Sequence, residues 1–576
     1  MSPTPHSRKL EQTAHGLAAA LLLLSALRYA LLPIGGYDHW WHLRTGQEIW
    51  KTRSLLESEP FSYVAQGRPW LYKEPGSELL LYATTEWLGA AGVVLLKGAA
   101  FLSLLGALAA AALRYRRVPF WLVSVVGALG IEACSFRVTE GPQTFAFATT
   151  AFVLLVLERH RVGRGSLVWV LPLITLTAYL HRGAWLLPPV VTAYALSRFG
   201  LGLPTLRGLW RTAQSERATL FVAGLAWLAP LLTPLTTHGL TTTVGVLGTS
   251  WHDVGITEWQ PLSASVLWAA SPWTYALLAL LAVALLARGR KQDPWDLALC
   301  LLGLALGLRS VRFVPYVFIF CALPTLSGLA LLVSRRRREL TRFALGPLLG
   351  FVSAAGGAAL AVASPLPLPH LGVQHHRLPE AALDFVRSHG LTGRVFNEFQ
   401  YGGYLIYHLW PQTSVYTDGR SDWVYTAEEI ARSGRMPGEP ATLEAERRRY
   451  GFDWLFLDNR PDDRSRLHLD RDPAWSLVFA SEPALVYVRT DGEHAALART
   501  GYRYLAAHDL AGSIAAAVRS GPAGARGAVA EAERMVREDP ESYPATLALG
   551  IAYESVGDPR AAEAFRRAQW LAERPL

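Results

Sequence analysis

Residues Gly35 to Trp50 read GGYDHWWHLRTGQEIW, which places one Asp, one Glu, two His, one Arg and three Trp just after the first apolar run. Asp38 and His42 are four apart, so on a helix they share a face. A carboxylate held there is a candidate general base, able to take the proton from a hydroxyl as its oxygen attacks a sugar carbon. The group leaving in such a reaction would be a lipid-linked phosphate, whose growing charge needs fixed cations. Two other readings stay open. Asp38 could cap an interfacial helix or pair with Arg44, and a divalent metal on Asp38 and His42 would have too few ligands to define a site.

A second set of ionisable residues lies elsewhere. Arg137, Glu140, His181, Arg182, Arg309 and Arg312 all fall at the ends of apolar runs, where charge is expensive unless it faces a cavity or a partner. Arg309 and Arg312 are three apart and share a helix face. Each Arg alone could snorkel to lipid headgroups. Together they suit a polar cavity for phosphate or pyrophosphate, because guanidinium forks match those oxygens. With His39, His42, Arg44 and Glu74 of the first loop, they are the candidates to hold substrate.

These residues must be positioned by membrane helices. The chain has 576 residues, 51% hydrophobic and only 18% charged, with a positive mean hydropathy of +0.20. A soluble chain of this length carries more charge. Eleven apolar runs lie near 16–34, 89–113, 118–136, 142–159, 166–181, 183–199, 217–236, 264–287, 294–309, 313–334 and 343–364. Each approaches the ~20 residues of a transmembrane helix. The first is read as an uncleaved span, since no small-residue cleavage site follows it.

Alternate loops carry Arg8 and Lys9; Arg114, Arg116 and Arg117; Arg159, Arg161 and Arg164; Arg198, Arg207 and Arg211; Arg288, Arg290 and Lys291; and Arg335 to Arg338. By the positive-inside rule this face is cytoplasmic. The N-terminus is then inside, and the first loop and everything after residue 365 are outside. The net charge of +9 resides mostly in these short loops and does not point to nucleic acid. Cys134, Cys300 and Cys321 have no metal or disulfide spacing and read as small buried hydrophobes.

The loop from Gly35 to Gly76 is long enough to be functional. It is expected to hold a short helix from about Tyr37 to Lys51, with Trp40, Trp41 and Trp50 at headgroup level. Its second leg, FSYVAQGRPWLYKEPGSELL, supplies Arg68, Trp70, Tyr72, Lys73 and Glu74, and leads into a helix starting near Pro75 with Glu78.

Several segments carry a family resemblance: WWHLRTG at Trp40 to Gly46, EPFSYV at Glu59 to Val64, GRPW at Gly67 to Trp70 with Glu74 following, TEGPQ at Thr139 to Gln143, YLHRGAW at Tyr179 to Trp185, and YGGYLIYHLWPQTSVYTDGR at Tyr401 to Arg420. Over about residues 16 to 490 the chain resembles the GT-C superfamily of integral membrane glycosyltransferases. It is most similar to an uncharacterised bacterial branch related to protein O-mannosyltransferases and aminoarabinose transferases. The resemblance implies a catalytic Asp in the first outer loop, at Asp38, an inverting transfer and a polyprenyl-phosphate-linked sugar donor. It also implies a place in the bacterial cytoplasmic membrane. There are departures: His39 stands where relatives often carry a second acid, Gly141 replaces the Arg of an RPQ-like motif, and Arg182 is an addition to an LHGG-like one.

Beyond the PLPLP linker at Pro365 to Pro369, the strand-like runs RVFNE, TSVYTDG, DWLFLDN and ALVYVRT alternate with helical stretches at Pro379–Ser388 and Thr426–Ser433. This predicts an extracytoplasmic α/β domain over 366–490. Asp418 and Arg420 follow a strand end, where open α/β sheets place ligands. With Tyr401, and Asp422 nearby, they form a second candidate site; a plain turn is the other reading.

Residues 500–576 are helical and Ala-rich, and resemble one tetratricopeptide repeat, with Leu547, Gly550 and Tyr553 on its first helix, Gly557-Asp558 at its turn and Ala562, Phe565 and Ala568 on its second. This tail either docks on the α/β domain or takes a protein partner. The fold expected is therefore a polytopic α-helical membrane domain over 1–365 (including the loop 35–76), the α/β domain and the helical tail. A glycosyltransferase for an envelope acceptor leads. A non-catalytic scaffold that keeps the fold comes second, and a transporter third, since no matched halves with broken helices stand out.

Overall fold

The computed structural model describes residues 5–70, 74–199, 206–233, 240, 263–335, 345–421, 424–460 and 463–573. Tyr72, Lys73, Asp422, Arg336 to Arg338 and the ends of two expected spans (234–236 and 343–344) lie outside the described residues. The chain packs as two units. One holds Met1–Ile34 and Leu71–Gly372, and the other Gly35–Trp70 and Val373–Leu576.

The first unit is helical. Its helices include Pro5–Ala30, Pro75–Ala110, Phe120–Cys134, Pro142–Arg161, Val170–Leu180, Leu187–Ser197, Arg217–Ala226, Trp273–Arg288, Pro294–Arg309, Val314–Arg335 and Leu345–Ala363. All eleven apolar runs are thus met by helix in their described parts. Among the described residues, five helices are long and apolar enough to cross a membrane: Glu11–Ala30, Pro75–Tyr115, Phe120–Arg137, Val311–Ser334 and Leu345–Ala363. The run read as one span at 264–287 is two helices, Ala264–Ala270 and Trp273–Arg288, bent by 112°. Pro272 breaks the backbone, and the Ser271 hydroxyl donates to the Ala133 carbonyl at 3.0 Å.

Helix Pro75–Ala110 begins where the sequence put it, then breaks at Gly89, whose φ of +63° suits a residue without Cβ. The break separates a leading segment, with Glu78 and Glu86, from the apolar run that starts there.

Part of the basic charge used for topology is spent inside the protein. Arg116 is buried and bridges Glu158 at 2.5 Å and Asp296 at 2.6 Å. Arg288 reaches the other oxygen of Asp296 at 2.6 Å, Arg161 pairs with Asp293, and Trp295 donates to Glu158 at 2.8 Å. This network ties helices from four spans at one end. A reporter enzyme fused after residue 370 is expected to read as extracytoplasmic; a cytoplasmic signal would overturn the proposed orientation.

The second unit is built on five strands: β1 Gly393–Asn397, β2 Thr413–Val415, β3 Trp454–Asp458, β4 Trp475–Ala480 and β5 Ala484–Arg489. Their order is β2-β1-β3-β5-β4. The first three are parallel, and β5 is antiparallel to both β3 and β4. Four strands match expected runs; β4, WSLVFA, was not anticipated. The helix Ala427–Arg435 starts on a capping box of Thr426 and Glu429.

The first loop also belongs to this unit. The sequence grouped it with the membrane segments, but the structure packs Gly35–Trp70 on the α/β fold. Ser62 bridges Val415 in parallel, which extends the sheet past β2. The reason is hydrogen bonding: β2 would otherwise expose an unpaired edge.

The tail forms helices Leu510–Arg519, Pro522–Glu538, Tyr543–Ser555 and Ala561–Glu573. Ile514, Ala517, Ala528, Ala532 and Met535 share one apolar core with Leu477, Leu485 and Tyr487 of the sheet. The tail therefore docks on the α/β fold.

Candidate functional site

In the second unit, Asp38 opens the helix Asp38–Thr52. A carboxylate in the first turn is favoured by the helix dipole. Asp38 is exposed, whereas His39 and His42 are buried. Trp41 Nε1 donates to Asp38 Oδ1 at 3.4 Å, and the Trp41 and His42 rings lie 3.5 Å apart. Arg44 does not pair with Asp38: it bridges Glu48 at 3.0 Å and covers the Trp410 ring at 4.6 Å.

Two of the three tryptophans expected at headgroup level, Trp40 and Trp41, pack within this unit instead. Trp41 is buried, and Trp40 packs on Tyr404, Tyr407 and His408 at centroid distances of 5.2, 5.4 and 5.2 Å. The helix Gly402–Leu409 offers an aromatic face, on which Trp40 meets Tyr404 edge to face. Its His408 accepts from Arg387 at 3.2 Å. Burial, with Arg387 beside it, pushes the His408 imidazole down to about 4. The unfolded chain then binds a proton more readily than the folded one between its ordinary value and about 4. Stability is therefore present above pH ~6.5 and lost as pH falls, by about 2 kcal/mol at pH 5. His408→Gln should flatten this loss, measured as unfolding midpoints at pH 7 and pH 5.

The residues read as a second site are interior. Asp418 and Arg420 are 0% exposed. Arg420 donates to Asp418 through Nε at 2.6 Å and Nη2 at 2.5 Å, and pairs through Nη1 with Glu59. Glu59 also accepts from the backbone of Phe61 at 2.7 Å and Ser62 at 2.8 Å, and Tyr425 donates to Asp418 at 2.6 Å. Phe61 and Trp70 cover the guanidinium. Burial raises the Glu59 carboxyl above its ordinary range despite Arg420. Against the same burial, Asp418 and Glu59 hold the Arg420 guanidinium above its own. Tyr401 is also buried and donates to Asp458 at 2.8 Å.

Glu59 opens the EPFSYV motif, and nothing in its sequence setting marks it as a site residue. Arg68 of the GRPW motif forks onto Glu429 at 2.6 and 2.9 Å. The loop is thus tied by two Arg–carboxylate clamps, and Asp38 stands on the tied loop at the carboxyl ends of the parallel strands.

In the first unit, a different set gathers. Arg137 donates to Gln143 at 2.5 Å, and Gln143 donates to the Arg312 carbonyl at 3.4 Å. His181 Nδ1 accepts from the Gly183 amide at 2.9 Å, and Ser77, in the first turn of its helix, donates to the Leu180 carbonyl at 2.7 Å. A Cβ on Gly183 would stand 3.5 Å from the Tyr316 hydroxyl. The segments carrying Glu74 and Glu78, Arg137 and Glu140, His181 and Arg182, and Arg312 are therefore neighbours. Arg309 and Arg312 do not share a helix face as their spacing suggested: the helix Pro294–Arg309 ends at Arg309, Ser310 is extended, and Arg312 lies in the short turn Val311–Phe313. Glu74, Glu140, His181 and Arg182 are buried, while Arg309 and Arg312 are half-buried.

Lys97 joins this list of buried charge. It is 1% exposed inside the apolar run 89–113, and its ammonium donates to the Leu32 carbonyl at 2.5 Å. Its lone charge in an apolar run was the signal that could have found it. Among the described residues no three His, Cys, Asp or Glu side chains gather as a metal site.

No family profile and no curated protein matches the sequence. Solved structures do match the fold. The apo oligosaccharyltransferase of Archaeoglobus fulgidus gives a TM-score of 0.56 at 12% identity, covering 83% of this chain and 75% of that one. The archaeal oligosaccharyltransferase AglB from the same organism, in complex with an inhibitory peptide and a dolichol-phosphate, gives 0.55 at 12%, covering 77% and 69%. The mycobacterial arabinofuranosyltransferase AftD gives 0.50 at 16%, covering 85% of this chain and 40% of that one. With its apolar helices, this likeness makes the chain a polytopic membrane protein.

Proposed function

We propose that this chain, whose fold is that of the GT-C membrane glycosyltransferases, moves a sugar from a polyprenyl-phosphate-linked donor to an envelope acceptor. The transfer takes place at the outer face of the cytoplasmic membrane. Asp38 takes the acceptor hydroxyl proton as that oxygen bonds to the sugar carbon. The bond from that carbon to the phosphate oxygen breaks, and its electrons leave with the phosphate. Attack opposite the leaving group inverts the carbon. Arg182, Arg309 and Arg312 neutralise the phosphate charge, with His39, His42, Arg44, Glu74, Glu140 and His181 lining substrate.

One observation carries the reading: an exposed carboxylate at a helix start, on a loop clamped at both Glu59 and Arg68. A base needs both access and a fixed position. The scaffold alternative draws on the motif departures at Gly141 and Arg182.

Purified protein incubated with a panel of polyprenyl-phosphate sugars separates the two. Release of polyprenyl phosphate with sugar on an acceptor supports the enzyme; donor binding without turnover across the panel selects the scaffold. Arg309→Ala or Arg312→Ala should weaken donor binding by roughly ten- to a hundredfold, the worth of one charged hydrogen bond. Unchanged donor affinity in both variants would remove them from the phosphate site.

A further inference from the structure

The Asp38 carboxylate rests against a turn made nearly four hundred residues later. We propose that the Asp418–Gly419–Arg420 turn is the positioning element for Asp38, which makes the α/β fold part of the transfer machinery; this rests on Asp38 being the base.

Three glycines carry the geometry. A Cβ on Gly419 would stand 1.7 Å from Asp38 Oδ1, 2.9 Å from its Cγ and 3.4 Å from Trp41 Nε1. A carboxylate cannot share that space with a methyl group, so any side chain at 419 displaces it. A Cβ on Gly402 would meet the Thr417 carbonyl oxygen at 2.2 Å and Asp418 Cβ at 2.5 Å. A Cβ on Gly403 would meet the Tyr37 carbonyl oxygen at 2.9 Å and Trp41 Cδ1 at 3.0 Å. The helix Gly402–Leu409 therefore backs both the turn and the start of the Asp38 helix. Each surface is held by backbone contact.

The turn has little freedom to yield. Its Asp418 and Arg420 side chains are wholly buried and locked to each other. Arg420 also holds Glu59, and Glu59 lies on the same loop as Asp38. Moving the turn means breaking a buried ion cluster, so a side chain at 419 would instead swing the exposed Asp38 carboxylate off the turn and out of its position. The carboxylate is set between two rigid parts, as a reacting group must be when a displacement near 1 Å costs about a hundredfold in rate.

The test is Gly419→Ala in the full-length protein, with donor turnover and unfolding midpoint both measured. Turnover should fall about a hundredfold while KM for the lipid donor stays within about twofold, since a misplaced base lowers kcat and spares binding. Gly419→Ala should also lower the unfolding midpoint in the parent and not in an Asp38→Ala background, where the clashing carboxylate is gone. If Gly419→Ala fails to fold, recovery of a folded Asp38→Ala/Gly419→Ala double variant supports the contact, and its failure overturns it. Parent-like turnover of Gly419→Ala beside an inactive Asp38→Asn overturns the positioning role and leaves the base in place. An active Asp38→Asn removes the base, and this proposal with it.

Discussion

Asp38→Asn should abolish sugar transfer while the protein folds, inserts and binds donor as before. The substitution exchanges one carboxylate oxygen for an amide of the same shape. Asn still accepts from Trp41 Nε1 through its carbonyl and still fits beside Gly419. Residue 38 is the first helical residue after the N-cap Tyr37, and the helix start has no side-chain capping hydrogen bond to lose, so the local structure should hold. What it loses is charge. The loss of a favourable carboxylate in the first turn costs about 0.3–1 kcal/mol, too little to unfold the unit. An amide does not take up a proton in this range, so the acceptor hydroxyl loses its base, and the rate should fall by about 10²–10⁴-fold. Initial rates of polyprenyl phosphate release, read beside donor affinity and unfolding midpoint, give the answer. A rate close to that of the parent would end the case for a base at this position.

How far such a site can be read ahead of the fold depends on how local its causes are. The apolar helices were legible because apolar length is a property of one segment, and so was the helix start at Asp38, with its polar residues behind a short apolar stop. The break at Pro272 was in plain sight too, but a run of Ala and Leu around it argued for a single span. Strand β4, Trp475–Ala480, gained its place from pairing with β5, which follows it in the chain, and not from any alternation of its own. The harder features were those whose partner is far away. Glu59 and Arg420 are 361 residues apart, as are Arg68 and Glu429. Neither pairing can be deduced from spacing, so the loop was assigned to the helices on either side of it. The same distance hid Gly419, whose meaning lies wholly in the carboxylate beside it. The tryptophans misled for a different reason. Trp at a membrane boundary usually marks the interface, but Trp41 here is buried and Trp40 packs on Tyr404, Tyr407 and His408, none of which is near it in sequence.

Arg420→Met should destabilise the second unit more than any other single change considered. The substitution keeps most of the side-chain volume and removes the guanidinium, leaving Glu59 and Asp418 buried within a cage that also holds Phe61, Trp70 and Tyr425. Breaking one side of a buried ion pair costs about 3–5 kcal/mol, because the orphaned charge has no water to turn to. Glu59→Gln should cost less: its amide oxygen can still accept from Phe61 and Ser62, and Asp418 still balances Arg420. The folded Glu59 carboxyl titrates above its unfolded value. Its contribution to stability is therefore fully present below the unfolded value and lost as pH rises through the folded one. Acidification should accordingly rescue Arg420→Met in part, by letting Glu59 take a proton and shed its unpaired charge, and the rescue should be smaller in Arg420→Met combined with Glu59→Gln, where one buried carboxylate remains in place of two. Thermal unfolding and limited proteolysis of the loop 53–70, at pH 7 and pH 5, measure both effects. An unfolding midpoint for Arg420→Met within a degree or so of the parent, at a scale of several degrees per kcal/mol for a domain of this size, would mean that the cluster does not hold the loop. Asp38 would then have to be kept in place by its glycine contacts alone.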